Sequence, residues 1–200
     1  ELINLLFQAF VGDKCNVVMP EYSFVVYSME ATVNNAEVRN IPLKDWKADL
    51  DAVYAAIDEN TRVVVFANPS NPIGTAISNK DLHEFVKKVP KSTLVVIDEA
   101  YNEFNADNAD YEDTAHYLSD CPNLVISRTF SKAYGLAGLR IGYMLTNPEI
   151  ASLLNRLRAP FNVNLIALEA AIAAIDDEEH LRKVVENNTY QRARYAEFCK

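Results

Sequence analysis

Three polar segments of the chain follow strand-like apolar runs and carry residue types that could do chemistry: Asn68–Thr75, Asp98–Tyr101 and Arg128–Arg140. In that order they supply amides, a carboxylate with a phenol, and hydroxyls with a lysine and an arginine. Taken singly, each is explained as well by a tight turn, a helix cap or an exposed loop. Taken together, they predict one polar site at the ends of consecutive strands.

The elements that must position these residues alternate along the chain. Apolar runs predict strands at Asn16–Pro20, Glu37–Leu43, Thr61–Ala67, Thr93–Ile97, Leu124–Ser127 and Leu139–Leu145. Helical spacing predicts helices at Phe24–Val33, at Asp49–Asp58, after the capping residue Ser78, and from Pro148 to the end with a break at Asp176–His180. Buried strands separated by helices indicate an α/β fold, a mainly parallel sheet with helices on both faces. Ligands of such sheets bind at the carboxyl ends of the strands.

The composition excludes several classes of partner. The formal net charge of −9 and the lack of a basic stripe argue against nucleic acid and anionic membranes. The longest apolar runs are too short to span a bilayer. The three cysteines, Cys15, Cys121 and Cys199, form neither a disulfide framework nor a zinc motif, so we expect reduced thiols, a cytoplasmic protein and no metal site.

Common nucleotide and hydrolase motifs are absent from the sequence. An acidic pair after an apolar strand could hold Mg²⁺ in a P-loop ATPase, but no Gly-x-x-x-x-Gly-Lys-Ser/Thr stretch exists. The five glycines form no Gly-x-Gly-x-x-Gly, and no Gly-x-Ser-x-Gly elbow is present. A P-loop ATPase therefore stays a distant alternative.

The three segments together resemble a known family. Asn-Pro-x-Asn-Pro-x-Gly from Asn68, Asp-Glu-Ala-Tyr from Asp98 and Ser-Lys-x-x-Gly-Leu-Ala-Gly-x-Arg-x-Gly-Tyr from Ser131 are similar to the motifs of fold-type I pyridoxal-phosphate aminotransferases. Within that family, Pro20–Tyr22 and Arg158–Asn164 resemble the histidinol-phosphate aminotransferase subgroup. The resemblance covers essentially the whole chain.

The resemblance implies pyridoxal 5′-phosphate as cofactor and a role for each matched residue. Lys132 matches the catalytic lysine that bonds to the cofactor and later moves a proton. Asp98 matches the carboxylate beside the ring nitrogen. Asn71 and Tyr101 match the donors to the ring oxygen, and Tyr22 matches the aromatic ring that stacks on the cofactor. The residues that match the phosphate ligands are Thr129, Ser131 and Arg140.

Several neighbours of these residues have a different expected role. Asn68 is a rival for the amide position, but Asn71 is the one followed by Pro-x-Gly. We expect Glu99 to point away from the site and Arg128 to pack or pair structurally. Arg140 is expected on the strand after a turn that Gly135 and the following glycine allow to approach the cofactor closely.

The implied activity moves an amino group between glutamate/2-oxoglutarate and histidinol phosphate, in histidine biosynthesis, by a homodimer that takes small-molecule donors and acceptors. An aromatic aminotransferase, a threonine-phosphate decarboxylase and a non-catalytic ligand-binding module of the same fold stay open. Residues 1–160 are expected to form the cofactor-binding large-domain core, and residues 161–200 a helical segment leading toward a C-terminal small domain. Both ends read as cut, so we expect this chain alone to bind the cofactor weakly and not to turn over.

Overall fold

The structure is a computed structural model that describes residues 1–105 and 112–200. Its strands, in chain order, are β1 (Asn16–Pro20), β2 (Glu37–Ile41), β3 (Leu43–Lys44), β4 (Lys47–Ala48), β5 (Thr61–Ala67), β6 (Leu94–Asp98), β7 (Leu124–Thr129) and β8 (Gly142–Thr146). The main sheet has the order β2-β1-β5-β6-β7-β8, and β3 and β4 form a separate antiparallel pair. In the main sheet, the strands β2, β1, β5, β6 and β7 pair in parallel, whereas β8 runs antiparallel to β7. The prediction of a mainly parallel sheet is confirmed.

Helices lie between and after these strands. They are α1 (Leu2–Phe10), α2 (Val26–Val33), α3 (Leu50–Ala55), α4 (Asn79–Lys88), α5 (Pro148–Leu157), α6 (Leu165–Ile175) and α7 (Glu178–Phe198). Short 3₁₀ turns cover Asn102–Asn105, Thr114–Ser119 and Ala137–Leu139. Within the described ranges, no helix combines the length and the apolar character needed to cross a membrane.

Two apolar cores cover the two faces of the sheet. Alternate side chains of β5 point to opposite faces, so that Val64 and Phe66 pack in one core, and Val63 and Val65 in the other. The first core takes its helical side chains from α3 and α4, and the second takes them from α1, α2 and α5. In a strand buried on both faces, the side chains that point to either face lie in an apolar core. Such strands therefore appear in the sequence as unbroken apolar runs.

The helix ends follow the sequence signals. Ser78 caps α4 by accepting a hydrogen bond from the Asp81 backbone N–H at 3.1 Å, as predicted. The expected break before the last helix is also confirmed, because α6 ends at Ile175 and the Asp177 side chain caps α7 through the His180 N–H at 3.0 Å.

Several predicted elements have different bounds in the structure, among them two strands and one helix. The strand expected at Leu139–Leu145 begins only at Gly142, because Arg140 adopts a left-handed conformation with φ of 54°. The strand expected to reach Leu43 ends at Ile41, and a short hairpin follows whose turn places Asp45 and Trp46 at positive φ. Helix α3 covers only the middle of the predicted Asp49–Asp58 segment.

A third apolar cluster joins the C-terminal helices to the lysine segment. Ala167 and Ala171 of α6 are buried against Phe130 and Ile141, which flank the segment that carries Lys132. Packing against α6 therefore holds this segment in place, in addition to its connection to the end of β7.

Candidate active site

The carboxyl ends of β5, β6 and β7 lie side by side. Ala67 pairs with Asp98, and Asp98 pairs with Ser127. The three polar segments picked out in the sequence follow directly after these three positions. The prediction that they meet at one edge of the sheet is confirmed.

Asp98 is a buried carboxylate at the centre of this edge, with a relative exposure of 9%. Its Oδ1 accepts hydrogen bonds from the Ser127 hydroxyl at 3.1 Å and the Ala100 N–H at 3.2 Å, and its Oδ2 accepts one from the Tyr27 hydroxyl at 2.7 Å. Burial raises the pKa of Asp98, while these donors and the nearby Lys132 charge oppose the rise. Within residues 1–105 and 112–200, Asp98 takes part in no salt bridge.

Tyr27 is a site residue that the sequence analysis missed. It lies on α2 and is fully buried, and burial followed by the charge of Asp98 raises the pKa of its hydroxyl well above the usual range. In the sequence it is one aromatic residue on a helix, a pattern typical of ordinary core packing. Its partner lies 71 residues further along the chain, so no local spacing connects the two.

Lys132, Tyr101 and Asn71 are brought together next to the buried carboxylate. The Lys132 Nζ lies 5.3 Å from the centroid of the Tyr101 ring, a distance at which a cation is attracted to the ring face. The Asn71 amide donates a 3.4 Å hydrogen bond to the Tyr101 hydroxyl. One residue from each of the three predicted segments therefore contributes to this cluster.

The choice of Asn71 over Asn68 agrees with the contacts of both amides. Asn68 is buried, and its side chain is occupied by the backbone of Ile77, donating to the carbonyl at 3.2 Å and accepting from the N–H at 2.9 Å. This pair of bonds closes the loop after β5. Asn71 is left as the amide that reaches the Tyr101 hydroxyl.

Hydroxyls and an arginine lie on the turn after β7. Thr129 Oγ1 accepts from the Ser131 N–H at 3.1 Å, and the Arg140 guanidinium lies 3.4 Å from Ser131 Oγ and 2.7 Å from the Ala137 carbonyl oxygen. Arg140 reaches Ser131 from the left-handed bend before β8 and not from the strand itself, which corrects the expected placement. Half-buried hydroxyls beside an exposed guanidinium are suited to a phosphate group.

The segment that carries Lys132 is held in a tight turn. The Gly135 N–H bonds to the Lys132 carbonyl at 3.0 Å, and Gly135 has a φ of 72°, a conformation that side chains rarely adopt. The neighbouring Ala133 is buried, and its carbonyl oxygen lies 3.2 Å from Nε2 of His180 on α7. The sequence pattern does not predict this contact, because nothing local connects a histidine at the start of a helix with the lysine turn 47 residues earlier.

Glu99 and Arg128 form a structural ion pair, as expected. The Arg128 Nε lies 2.7 Å from Glu99 Oε2, and its Nη2 contacts Asp113 at 2.5 Å. Burial alone would lower the pKa of Arg128, but the two carboxylates raise it above the usual range. The Glu99 side chain is thus engaged by Arg128, as expected of a residue that points elsewhere.

Tyr22 lies at the carboxyl end of β1, with 63% of its surface exposed and a φ of 54°. It belongs to a depression that also includes Glu21, Phe24 and Ser28. The contacts found in the described ranges do not join it to Lys132 or Asp98, so its stacking role stays a prediction.

One further group of ligand-type side chains lies elsewhere. His83 Nε2 is 3.1 Å from Asp120 Oδ2, and the Cys121 thiol lies 3.8 Å from the same carboxylate. Lys87 also pairs with Asp120 at 2.7 Å, so a cation already neutralises this carboxylate. The sequence did not indicate this group, because its members come from α4 and from the segment before β7.

The site chemistry fits an aromatic cofactor with a basic ring nitrogen and a phosphate. A buried carboxylate without a salt-bridge partner is costly unless a cationic group pairs with it, and a protonated ring nitrogen would do so. The amine of Lys132 and the donors around Ser131 lie on the same segment after β7. Asp98 would hold the ring nitrogen of such a group, and Ser131 and Arg140 would hold its phosphate.

Comparison with known proteins decides the family. The sequence profile described as "Aminotransferase class I and II" matches residues 1–200. The chain belongs to this aminotransferase family. Its fold agrees, because it superimposes with a TM-score of 0.92 on the histidinol-phosphate aminotransferase from Sinorhizobium meliloti, solved in complex with pyridoxal-5′-phosphate. That structure is 33% identical, and the match covers 97% of this chain and 53% of that one.

Two curated relatives with similar sequences are named histidinol-phosphate aminotransferases. Histidinol-phosphate aminotransferase 1 of Mannheimia succiniciproducens is 45% identical over all of this chain and 54% of its own length. Histidinol-phosphate aminotransferase 2 of Pseudomonas fluorescens is 48% identical over 90% of this chain and 49% of its own length. The chain thus spans about half the length of the curated relatives it matches.

Proposed function

We propose that this chain is the cofactor-binding core of a pyridoxal-phosphate-dependent aminotransferase. The observation that carries the proposal is that Lys132 and Tyr101 lie next to the buried carboxylate of Asp98 at adjacent strand ends, where no salt bridge within residues 1–105 and 112–200 neutralises it. Those groups are the ones this cofactor requires: an amine that bonds to it, a phenol beside it and a carboxylate that keeps its ring nitrogen protonated. The family membership of the chain supports the same cofactor.

Each residue has a physical role in this proposal. When bound, pyridoxal phosphate supplies an aldehyde that bonds to amines and a ring that draws electrons away from them. Lys132 holds the cofactor and then carries the proton that moves during amino transfer. Asp98 keeps a proton on the ring nitrogen, Asn71 and Tyr101 donate hydrogen bonds to the ring oxygen, and Tyr22 stacks on the ring. The phosphate is bound by Thr129, Ser131 and Arg140.

The substrate follows from the similarity to relatives named histidinol-phosphate aminotransferase. We propose transfer of an amino group between glutamate/2-oxoglutarate and histidinol phosphate, a step of histidine biosynthesis. In the whole protein that contains this chain, an assay with 2-oxoglutarate as acceptor should form glutamate with a higher kcat/KM for histidinol phosphate than for phenylalanine. Release of carbon dioxide from threonine phosphate without formation of glutamate would contradict the proposal.

A lysine substitution makes the assay specific to the site. Lys132→Ala should abolish glutamate formation. Lys183→Ala, which removes an exposed lysine of a surface ion pair on α7, should leave it unchanged. Equal activity of the two variants would contradict the assignment of Lys132.

The assembly and arrangement of the protein are further parts of the proposal. We propose a cytoplasmic homodimer in which residues 1–160 form the cofactor-binding core and residues 161–200 lead toward a small domain. We propose that α6 is covered in the assembled protein, since ten of its eleven residues are apolar and yet Leu165 and Ile166 are 71% and 74% exposed in this chain.

A further inference from the structure

The environment of Asp98 includes one buried group for which the proposed mechanism has no role, the Tyr27 hydroxyl. Tyr27 has no exposed surface, and its hydroxyl donates to Asp98 Oδ2 at 2.7 Å. This is the shortest of the three hydrogen bonds that the Asp98 carboxylate accepts in the structure. A hydrogen bond to an ionised acceptor is among the stronger ones in a protein.

The two oxygens of Asp98 differ in how many donors they already have. A carboxylate offers about four acceptor positions, two on each oxygen. The Ser127 hydroxyl and the Ala100 N–H fill both positions of Oδ1, whereas Tyr27 fills one position of Oδ2. The second position of Oδ2 is therefore the one that a further donor can use.

We propose that Tyr27 is a positioning residue that turns Asp98 so that the free acceptor position of Oδ2 is presented to the ring nitrogen of pyridoxal phosphate. This inference rests on the proposed function. The Tyr27 hydroxyl also favours the ionised form of Asp98, and an ionised carboxylate favours a protonated ring nitrogen. Through this hydrogen bond, a residue of helix α2 influences the acidity of the Asp98 carboxyl group.

A purely structural role for Tyr27 can be separated from this one. The ring of Tyr27 packs in the core beneath the sheet and contacts the Phe24 ring edge to face, with centroids 5.7 Å apart. Phenylalanine at this position keeps the ring and removes only the hydroxyl. If the ring alone matters, Tyr27→Phe should behave as the wild-type protein does.

The test compares Tyr27→Phe with Tyr117→Phe in the whole protein. Tyr117 is also buried and donates its hydroxyl to a carboxylate, that of Glu112, so its variant removes the same kind of bond elsewhere. The first readout is the titration of the Asp98 carboxyl group, followed by carbon NMR on cofactor-free protein and assigned with Asp98→Asn. The second is the binding of pyridoxal phosphate, and the third is the rate of amino transfer from glutamate to the bound cofactor.

We expect Tyr27→Phe to raise the pKa of Asp98, to weaken cofactor binding and to slow the transfer from glutamate by about tenfold, which corresponds to about 1.4 kcal/mol. Tyr117→Phe should change none of the three. An Asp98 titration and a cofactor affinity that are both unaffected by Tyr27→Phe would overturn the inference. A wild-type protein that binds no pyridoxal phosphate would instead overturn the proposed function.

Discussion

Replacing Arg128 with leucine tests whether the ion pair behind the site supports the fold. The Glu99 side chain is 2% exposed and the Arg128 side chain 11% exposed, so the pair is buried. Removing one partner of a buried pair leaves an uncompensated charge and costs about 3–5 kcal/mol. For a domain of this size about 1 kcal/mol lowers the melting temperature by roughly 2–4 °C, so we expect a fall of about 6–20 °C.

Calorimetry and urea unfolding at neutral pH measure this loss, with Arg182→Leu as the matched control. Arg182 pairs with Glu186 at 2.9 Å, but both side chains are about 60% exposed, so its loss should cost less than about 1 kcal/mol. A loss for Arg128→Leu as small as that of the control would refute the reasoning.

The pH dependence of Arg128→Leu gives a second check of the same prediction. Burial raises the pKa of Glu99 in the folded protein, and the charge of Arg128 opposes that rise. Without Arg128 the folded-state pKa of Glu99 rises further, so protonated Glu99 favours the folded state. That contribution is fully present below the ordinary pKa of glutamate and is lost as the pH rises through the folded-state pKa. The variant should therefore be closer to wild type in acid than at pH 8, and a deficit that does not shrink in acid would contradict this account.

Three more predictions concern the site and its surroundings. Arg140→Lys keeps the charge near Ser131 but loses the planar fork, so the Kd for pyridoxal phosphate should rise about tenfold by fluorescence titration; an unchanged Kd would contradict a phosphate role. Gly142→Ala would place a Cβ 2.7 Å from the Arg128 carbonyl oxygen, so calorimetry should show a loss of about 1–3 kcal/mol, and full stability would show that β8 can shift freely. Ile166→Asp should convert a dimer to a monomer in light scattering, because a charge would enter the apolar face of α6 that the proposed dimer covers; a dimer that persists would place the interface elsewhere.

The sequence predicted the fold well where buried strands leave a simple pattern. The runs at Asn16–Pro20 and Thr61–Ala67 have the same bounds in the structure, since strands covered on both faces must be apolar throughout. The start of β8 was placed too early because the apolar spacing around Leu139 continues through a left-handed bend at Arg140. A conformation of that kind leaves no periodic signal at a residue other than glycine.

The candidate site was predictable as far as it follows strand ends. Asp98 comes directly after one apolar run and Lys132 lies on the segment that follows the next, and the parallel topology brings those strand ends together. Tyr27 and His180 were missed because each reaches the site from a helix distant in sequence, where an aromatic or polar residue has a commoner explanation. Such contacts depend on tertiary packing and not on local spacing.

The central claim is that Lys132 is the lysine that bonds to the cofactor. Incubation of the protein with one equivalent of pyridoxal phosphate, reduction with borohydride and peptide mapping by mass spectrometry would locate the bonded lysine. The account predicts that the modification lies on Lys132 and disappears in Lys132→Ala, while Lys183→Ala retains it. Modification of another lysine, or none above the level of denatured protein, would contradict the account.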